Sequence, residues 1–233
     1  MPRVEPPVRK KRAPQPRRRC QNFPLRRLLP AFLTLFAAAG ISAAPAIDLW
    51  NGRDLAGWSF VTNPAVDIAT VCHATPDGAL AAAGRPTGYL LAGPDAYTNF
   101  KLHVEWRWPG KPGNGGVLVH ISSGPKDRQW PLCFQIQLKV HRAGDILPMA
   151  GATCAEQIPP GAPQVDKIGV DSEKSPGDWN KCDIVCRDGT IECSVNGVPQ
   201  NRVTRCAPAA GQVGFQFEGT PFELRNVELT PLQ

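Results

Sequence analysis

The stretch that decides the fold runs from Gly113 to Leu138, GNGGVLVHISSGPKDRQWPLCFQIQL. It contains two runs in which apolar and polar residues alternate, the period of a strand with one buried face. In Val117-Leu118-Val119-His120-Ile121 the alternation sets Val117, Val119 and Ile121 on one side, with His120 opposite. In Phe134-Gln135-Ile136-Gln137-Leu138 the apolar set is Phe134, Ile136 and Leu138, so Gln135 and Gln137 point the other way. An imidazole and two amides on one sheet face point to a polar ligand.

The same period continues on both sides. Phe100, Leu102, Val104, Trp106 and Trp108 alternate with Lys101, His103, Glu105 and Arg107. From Lys181 to Val195 the pattern predicts a hairpin turning at Asp188-Gly189. With a two-residue loop, Cys182 faces Val195, Ile184 faces Cys193 and Cys186 faces Ile191, all six on a buried face. Further on, Val213, Phe215 and Phe217 alternate with Gly214, Gln216 and Glu218. Phe222 to Leu229 reads as a closing strand whose pattern slips near Asn226, the mark of a bulge. No long apolar run has a helical period, and turn residues punctuate the strands, so the chain is predicted to be an all-β sandwich. Trp50, Trp58 and Trp179 read as core aromatics, and Asn114 among glycines as a turn former.

The leader must be set aside before charge is interpreted. Residues 1 to 30 hold ten Lys or Arg against one acid, Glu5, a net +9 in a chain whose total is +6, so the remainder carries −3. The basic balance therefore belongs to the leader and makes no case for nucleic acid binding. Basic residues, the apolar run Leu28 to Ala39 and the small residues Ser42, Ala43, Ala44 and Ala46 follow in the order of a secretory signal. The apolar run is shorter than the roughly 20 residues that span a bilayer. Residues 1–46 are thus expected to be a basic leader and signal peptide. Residues 47–233 would form one domain in the periplasm or outside the cell, with no stable membrane span.

Seven cysteines follow the leader: Cys72, Cys133, Cys154, Cys182, Cys186, Cys193 and Cys206. An odd number leaves at least one thiol free or paired with another chain. Cys182 and Cys186 lie about 13 Å apart on one strand at ~3.3 Å per residue, beyond the roughly 7 Å reach of a disulfide. Cys186 with Cys193 would be a strained diagonal pair. The hairpin cysteines read equally as small core residues. No tight Cys pair forms a zinc motif.

The order of several short motifs resembles the bacterial 3-keto-disaccharide hydrolase domain family. Leu49-Trp50-Asn51-Gly52-Arg53-Asp54-Leu55-Ala56-Gly57-Trp58 resembles its LFNGKDLSGW opening, and Asn99 through Arg107 its dFxLxxEwR strand. Gly113-Asn114-Gly115-Gly116-Val117 resembles its gNSGv turn, with Gly115 in place of Ser. His120, Trp130-Pro131, Ala143-Gly144-Asp145, Gly177-Asp178-Trp179-Asn180, Val195-Asn196-Gly197 and Gln216 through Val227 continue the series in order. The resemblance implies a concanavalin-like jelly roll of two antiparallel sheets that acts on carbohydrate. It also implies cleavage of glycosides whose sugar carries a ketone at C3.

A C3 ketone acidifies the C2 proton, so a base can remove it while the C1 oxygen leaves. Such a site needs a base, a donor or cation for the enolate oxygen, and a proton for the leaving group. The catalytic candidates are Glu105, Arg107, His120 and Glu218, with His103 as a further proton carrier. Asn114, Gln135, Gln137, Asp145, Gln216 and Arg225 are candidates for holding substrate. Arg225 and Asn226 read equally as residues that satisfy backbone groups at a bulge. No metal ligand set and no cofactor are predicted, and a divalent cation is left open. Gln135 stands where the family pattern has Glu, and an amide takes up no proton near neutral pH. Two readings therefore stay open, an enzyme and a carbohydrate-binding module on the same fold.

Overall fold

The computed structural model describes residues 44–156, 158 and 160–233. The leader expected over residues 1–46 lies outside the described residues except for 44–46. The strands are β1 (Ile47–Asp48), β2 (Trp58–Thr62), β3 (Cys72–Ala74), β4 (Leu80–Ala82), β5 (Gly88–Ala92), β6 (Phe100–Arg107) and β7 (Gly116–Asp127). They continue as β8 (Trp130–Gln137), β9 (Ile146–Met149), β10 (Asn180–Arg187), β11 (Thr190–Val195), β12 (Val198–Val203), β13 (Gln212–Phe217) and β14 (Phe222–Pro231). Among the described residues no helix is long and apolar enough to cross a membrane.

The strands form two antiparallel sheets. The eight-stranded sheet has the order β12-β11-β10-β6-β14-β4-β3, with β1 paired to β14, and the six-stranded sheet has the order β2-β5-β13-β7-β8-β9. Their inner faces share one buried cluster. Phe100, Leu102, Val104 and Trp106 of β6 join Cys182, Ile184 and Cys186 of β10 on one side, and Val117, Val119, Phe134, Ile136, Phe215 and Phe217 supply the other. Burying each such large side chain contributes about 1.5–3 kcal/mol against leaving it in water. This is the all-β sandwich that the alternation predicts.

The hairpin register is as read from the sequence, with Cys182 opposite Val195, Ile184 opposite Cys193 and Cys186 opposite Ile191. Its turn places Asp188 at φ 49 and Gly189 at φ 69, the left-handed pair that matches strand twist in a two-residue loop. The β14 bulge is also present. Register with β6 slips between Arg225 and Glu228, and Asn226 has φ 48. Trp50 and Trp58 are core residues, meeting edge to face at 5.9 Å. Trp179 is not. It is half-buried, with the guanidinium carbons of Arg225 and Arg107 at 4.1 and 4.5 Å from its ring centroid.

The reading of β7 needs one correction. His120 has φ 54, and the β7–β8 register breaks between Val119 and Ser123. A single left-handed residue breaks the alternation. His120 packs edge-on to Phe100 of the core at 5.6 Å, while Ile121 joins Tyr89, Leu118 and Cys133 in a separate cluster. The expected placement of Ile121 inside and His120 outside is thereby reversed.

Gly214 shows how tightly the six-stranded sheet is drawn together. A Cβ there would lie 2.2 Å from the Leu90 carbonyl oxygen of β5. The Ile121 Cδ1 at 2.9 Å can swing aside, but the Leu90 carbonyl is strand backbone and cannot. Gly214→Ala is expected to cost about 1–3 kcal/mol, measured as a lower urea midpoint with an unchanged slope.

Candidate functional site

The alternation that fills the core leaves two outer faces, and the candidate residues divide between them. On the six-stranded sheet, Gln135 and Gln137 alternate with core residues of β8, Gln216 does so on β13, and Glu218 follows β13 directly. Register puts Gly116 beside Gln137 and Leu118 beside Gln135. With no side chain at Gly116, Gln135 lies across it, since a Cβ there would meet Gln135 Cγ at 2.5 Å. At Gly115, where the resembled turn pattern carries Ser, a Cβ would press on the Trp108 ring at 3.3 Å.

Asn114, Gln135, Gln137, Gln216 and Glu218 form a short polar strip. Asn114 Nδ2 donates to Glu218 Oε2 at 2.8 Å, and Gln135 Nε2 donates to Gln137 Oε1 at 3.3 Å. Gln137 Oε1 also accepts from the backbone N–H groups of Leu138 and Lys139 at 3.1 and 3.2 Å, so that oxygen is fully used. Three oxygens are not. Asn114 Oδ1, Gln135 Oε1 and Gln216 Oε1 are buried without a hydrogen-bond partner among the described residues. A buried unpaired polar group costs about 1–3 kcal/mol. Three such acceptors in one strip match a ligand rich in hydroxyl donors.

Glu218 gives the strip its carboxyl group. The side chain reaches the solvent edge, yet the protein atoms around it withhold enough water to push its pKa above the ordinary carboxylate range. The charge of Lys139 and a hydrogen bond from Gln216 act in the opposite direction without cancelling the effect. Lys139 is absent from the candidates read from the sequence. It continues the spacing Gln135, Gln137, Lys139 one step beyond the end of β8, and that extension was the available signal.

Glu105, Arg107 and Arg225 stand on the outer face of the eight-stranded sheet, on the far side of the core from this strip. Arg225 Nε donates to Glu105 Oε2 at 2.7 Å, and Arg107 Nε to Glu223 Oε2 at 2.5 Å. Burial works to raise the pKa of Glu105. Hydrogen bonds from Arg225 and Asn226, with the charges of Arg225 and Lys181, outweigh it and hold the group below the usual range. His103 lies on the same face, with Nδ1 2.6 Å from Asp183 Oδ1. Each arginine is matched to a carboxylate and stacked on Trp179. The face reads as an ionic network around an aromatic ring.

His120 and Asp145 belong to neither face's polar group. His120 is buried, its Nε2 is 3.2 Å from the Thr98 carbonyl oxygen, and burial lowers its pKa, which favours the neutral imidazole. Asp145 is buried beside the start of β9. Its Oδ1 accepts from Lys167 N–H at 2.8 Å, Arg142 lies 3.4 Å from Oδ2, and burial raises its pKa. It anchors the loop after β9.

Open hollows of about 430, 310 and 210 Å³ lie on the outer face of the eight-stranded sheet and share Val185. None of the unpartnered buried polar atoms lines them. Among the described residues, no three His, Cys, Asp or Glu side chains gather as a metal ligand set.

The fold is shared with solved proteins. A candidate glycosyl hydrolase of Parabacteroides distasonis superposes with a TM-score of 0.60 at 19% identity, covering 81% of this chain and 94% of that one. A second from the same organism gives 0.57 at 21%, covering 81% and 100%. The carbohydrate-binding module CBM66 of Bacillus subtilis gives 0.51 at 10%, covering 75% and 95%. No curated protein matches significantly. The family model of the 3-keto-alpha-glucoside-1,2-lyase-like domain matches residues 45–230, nearly all of the described chain. This carbohydrate-active protein therefore belongs to that family, the 3-keto-disaccharide hydrolase domains that its motifs resemble.

Proposed function

We propose that this protein is an exported enzyme that cleaves 3-keto-glycosides on the outer face of the six-stranded sheet. The observation that carries the reading is Glu218, a carboxyl group with a raised pKa beside three buried amide oxygens without partners. Sugar hydroxyls donate to Asn114, Gln135 and Gln216. Glu218 removes the C2 proton, and Lys139 offsets the charge that develops on the C3 oxygen. The C2–H and C1–O bonds break as the C1=C2 bond forms. Protonated Glu218 returns its proton to the departing oxygen, leaving an enone. Water then adds hydroxyl to C1 and hydrogen to C2, which releases the free 3-keto sugar. A carboxyl group held above its ordinary pKa suits a step that both takes and gives a proton.

A second reading is favoured by Gln135. Where the family pattern has Glu, this chain has an amide, and a site with one carboxyl group fewer would hold a sugar without turning it over. The CBM66 likeness fits that reading at the level of fold. Product release separates the two.

Glu218→Gln is expected to lower the rate of 3-keto-sugar release at least 100-fold while sugar binding, followed by calorimetry, is retained. Wild-type activity should have an acid limb above the ordinary carboxylate range, because the base form is required. The sign for stability is opposite to that of a salt-bridged acid. A raised folded pKa means ionisation opposes folding at neutral pH, so Glu218→Gln should be neutral or stabilising there. Saturable sugar binding by wild type with no released product would favour the binding module.

The other face supplies the control. Arg225→Ala leaves Glu105 buried and without its main partner, at a cost of about 1–3 kcal/mol at pH 7, reduced because Arg225 is partly in water. The folded pKa of Glu105 is depressed, so the stability it contributes is present above the ordinary carboxylate pKa and lost as pH falls through the folded value. The gap between wild type and variant in urea unfolding should therefore shrink in acid. Release of 3-keto sugar should stay within about twofold. A much larger drop would move the site to the eight-stranded sheet.

A further inference from the structure

Seven cysteines lie among the described residues, and none is bridged. Five of them face other residue types across the strands. Cys182 lies opposite Val195 and Val104, Cys186 opposite Ile191 and Phe100, and Cys193 opposite Ile184 and Asn201. Cys72 lies opposite Ala82, and Cys133 opposite Met149. Cys154 and Cys206 differ.

Thr153 and Ala207 form an isolated antiparallel bridge and exchange both backbone hydrogen bonds, each at 2.9 Å. The next residues inward, Cys154 and Cys206, therefore face each other where no hydrogen bonds are exchanged, just before a bulge in which Ala155 N–H reaches the Thr204 carbonyl oxygen at 2.8 Å and Arg205, at φ 52, is the extra residue. The Cys206 N–H turns away from Cys154, to the Gly189 carbonyl oxygen at 2.8 Å. Opposed residues in such a pair have Cα atoms about 4.5 Å apart, inside the roughly 4.4–6.8 Å range of a disulfide. Opposed side chains also share a sheet face. Cys206 belongs to the main core cluster, and Cys154 packs against that cluster. Cys154 is partly exposed, which admits an oxidant to a pair whose other member is buried.

The location gives the pair a mechanical meaning. Cys154 follows β9, the edge strand of the six-stranded sheet, and Cys206 follows β12, the edge strand of the eight-stranded sheet. We propose that Cys154 and Cys206 form a disulfide that clips the two sheets together along this edge. Each thiol gives up one hydrogen and the two sulfurs join. A disulfide donor, such as oxidised glutathione or a dithiol-oxidising enzyme, takes the two hydrogens and is reduced to two thiols. The closed loop spans about 50 residues, long enough for the link to restrict the unfolded chain substantially.

The full chain, purified reduced and then incubated with oxidised glutathione, is denatured and alkylated with N-ethylmaleimide. Unreduced peptide mapping should recover the Cys154 peptide joined to the Cys206 peptide, with two fewer maleimide adducts than in the reduced protein. The Tm should rise on oxidation by on the order of 5–10 °C. That rise should vanish in Cys154→Ser and persist in Cys133→Ser. The mapping uses wild type, so it stands even if a variant fails to fold. The proposal is overturned if Cys154 and Cys206 are both alkylated after oxidation, if either carries only glutathione, or if Cys206 is linked to Cys186 or to a second copy.

Discussion

Everything in this molecule depends on the packing of Phe100, Leu102, Val104 and Trp106 with Phe134, Ile136, Phe215 and Phe217 in one buried cluster. A strand with one face committed to a core has no freedom over the other, because the side-chain period is two and a slip of one residue would turn every apolar group to water. The core therefore decides where polar chemistry can stand. Gln135, Gln137 and Gln216 point outward from one sheet because their neighbours point inward, and Glu105 and Arg107 point outward from the other for the same reason.

The two outer faces differ in how completely their polar groups are satisfied. Around Trp179, Arg225 meets Glu105, Arg107 meets Glu223 and His103 meets Asp183. None of these side chains has a buried polar atom left without a partner among the described residues. The strip on the six-stranded sheet is the reverse case, with three buried oxygens unpaired. A ligand gains most where the protein's own groups are left short of partners, since there it replaces no existing contact. That contrast, rather than the size of the hollows on the opposite face, selects the strip.

Much of this was legible in the sequence, for a definite reason. The hairpin register and the bulge at Asn226 follow from alternation over short distances, which one chain records directly. Alternation separates inside from outside but does not say which sheet a strand joins. Glu105 and Glu218 both read as outward carboxylates, and nothing local reveals that the sandwich stands between them. Alternation sets His120 outside, but one residue at φ 54 reverses the pattern, and no glycine marks the spot. Trp179 reads as a core residue because a sequence shows hydrophobicity without showing that two guanidinium groups cover the ring.

Gln135 links the local packing to the chemistry. Its side chain lies where a Cβ at position 116 would stand, so this conformation requires Gly116, and position 115 is drawn close to Trp108. A carboxylate at 135 would add a second negative charge to a strip whose existing acid is already pushed upward by its surroundings. Like charges at close range raise one pKa and couple the two titrations. With an amide there, the strip has a single titrating carboxyl group, and Gln135 contributes hydrogen bonds without a proton. Under the proposed function, proton transfer falls to Glu218 and sugar binding to the amides, a division that requires no carboxylate at position 135.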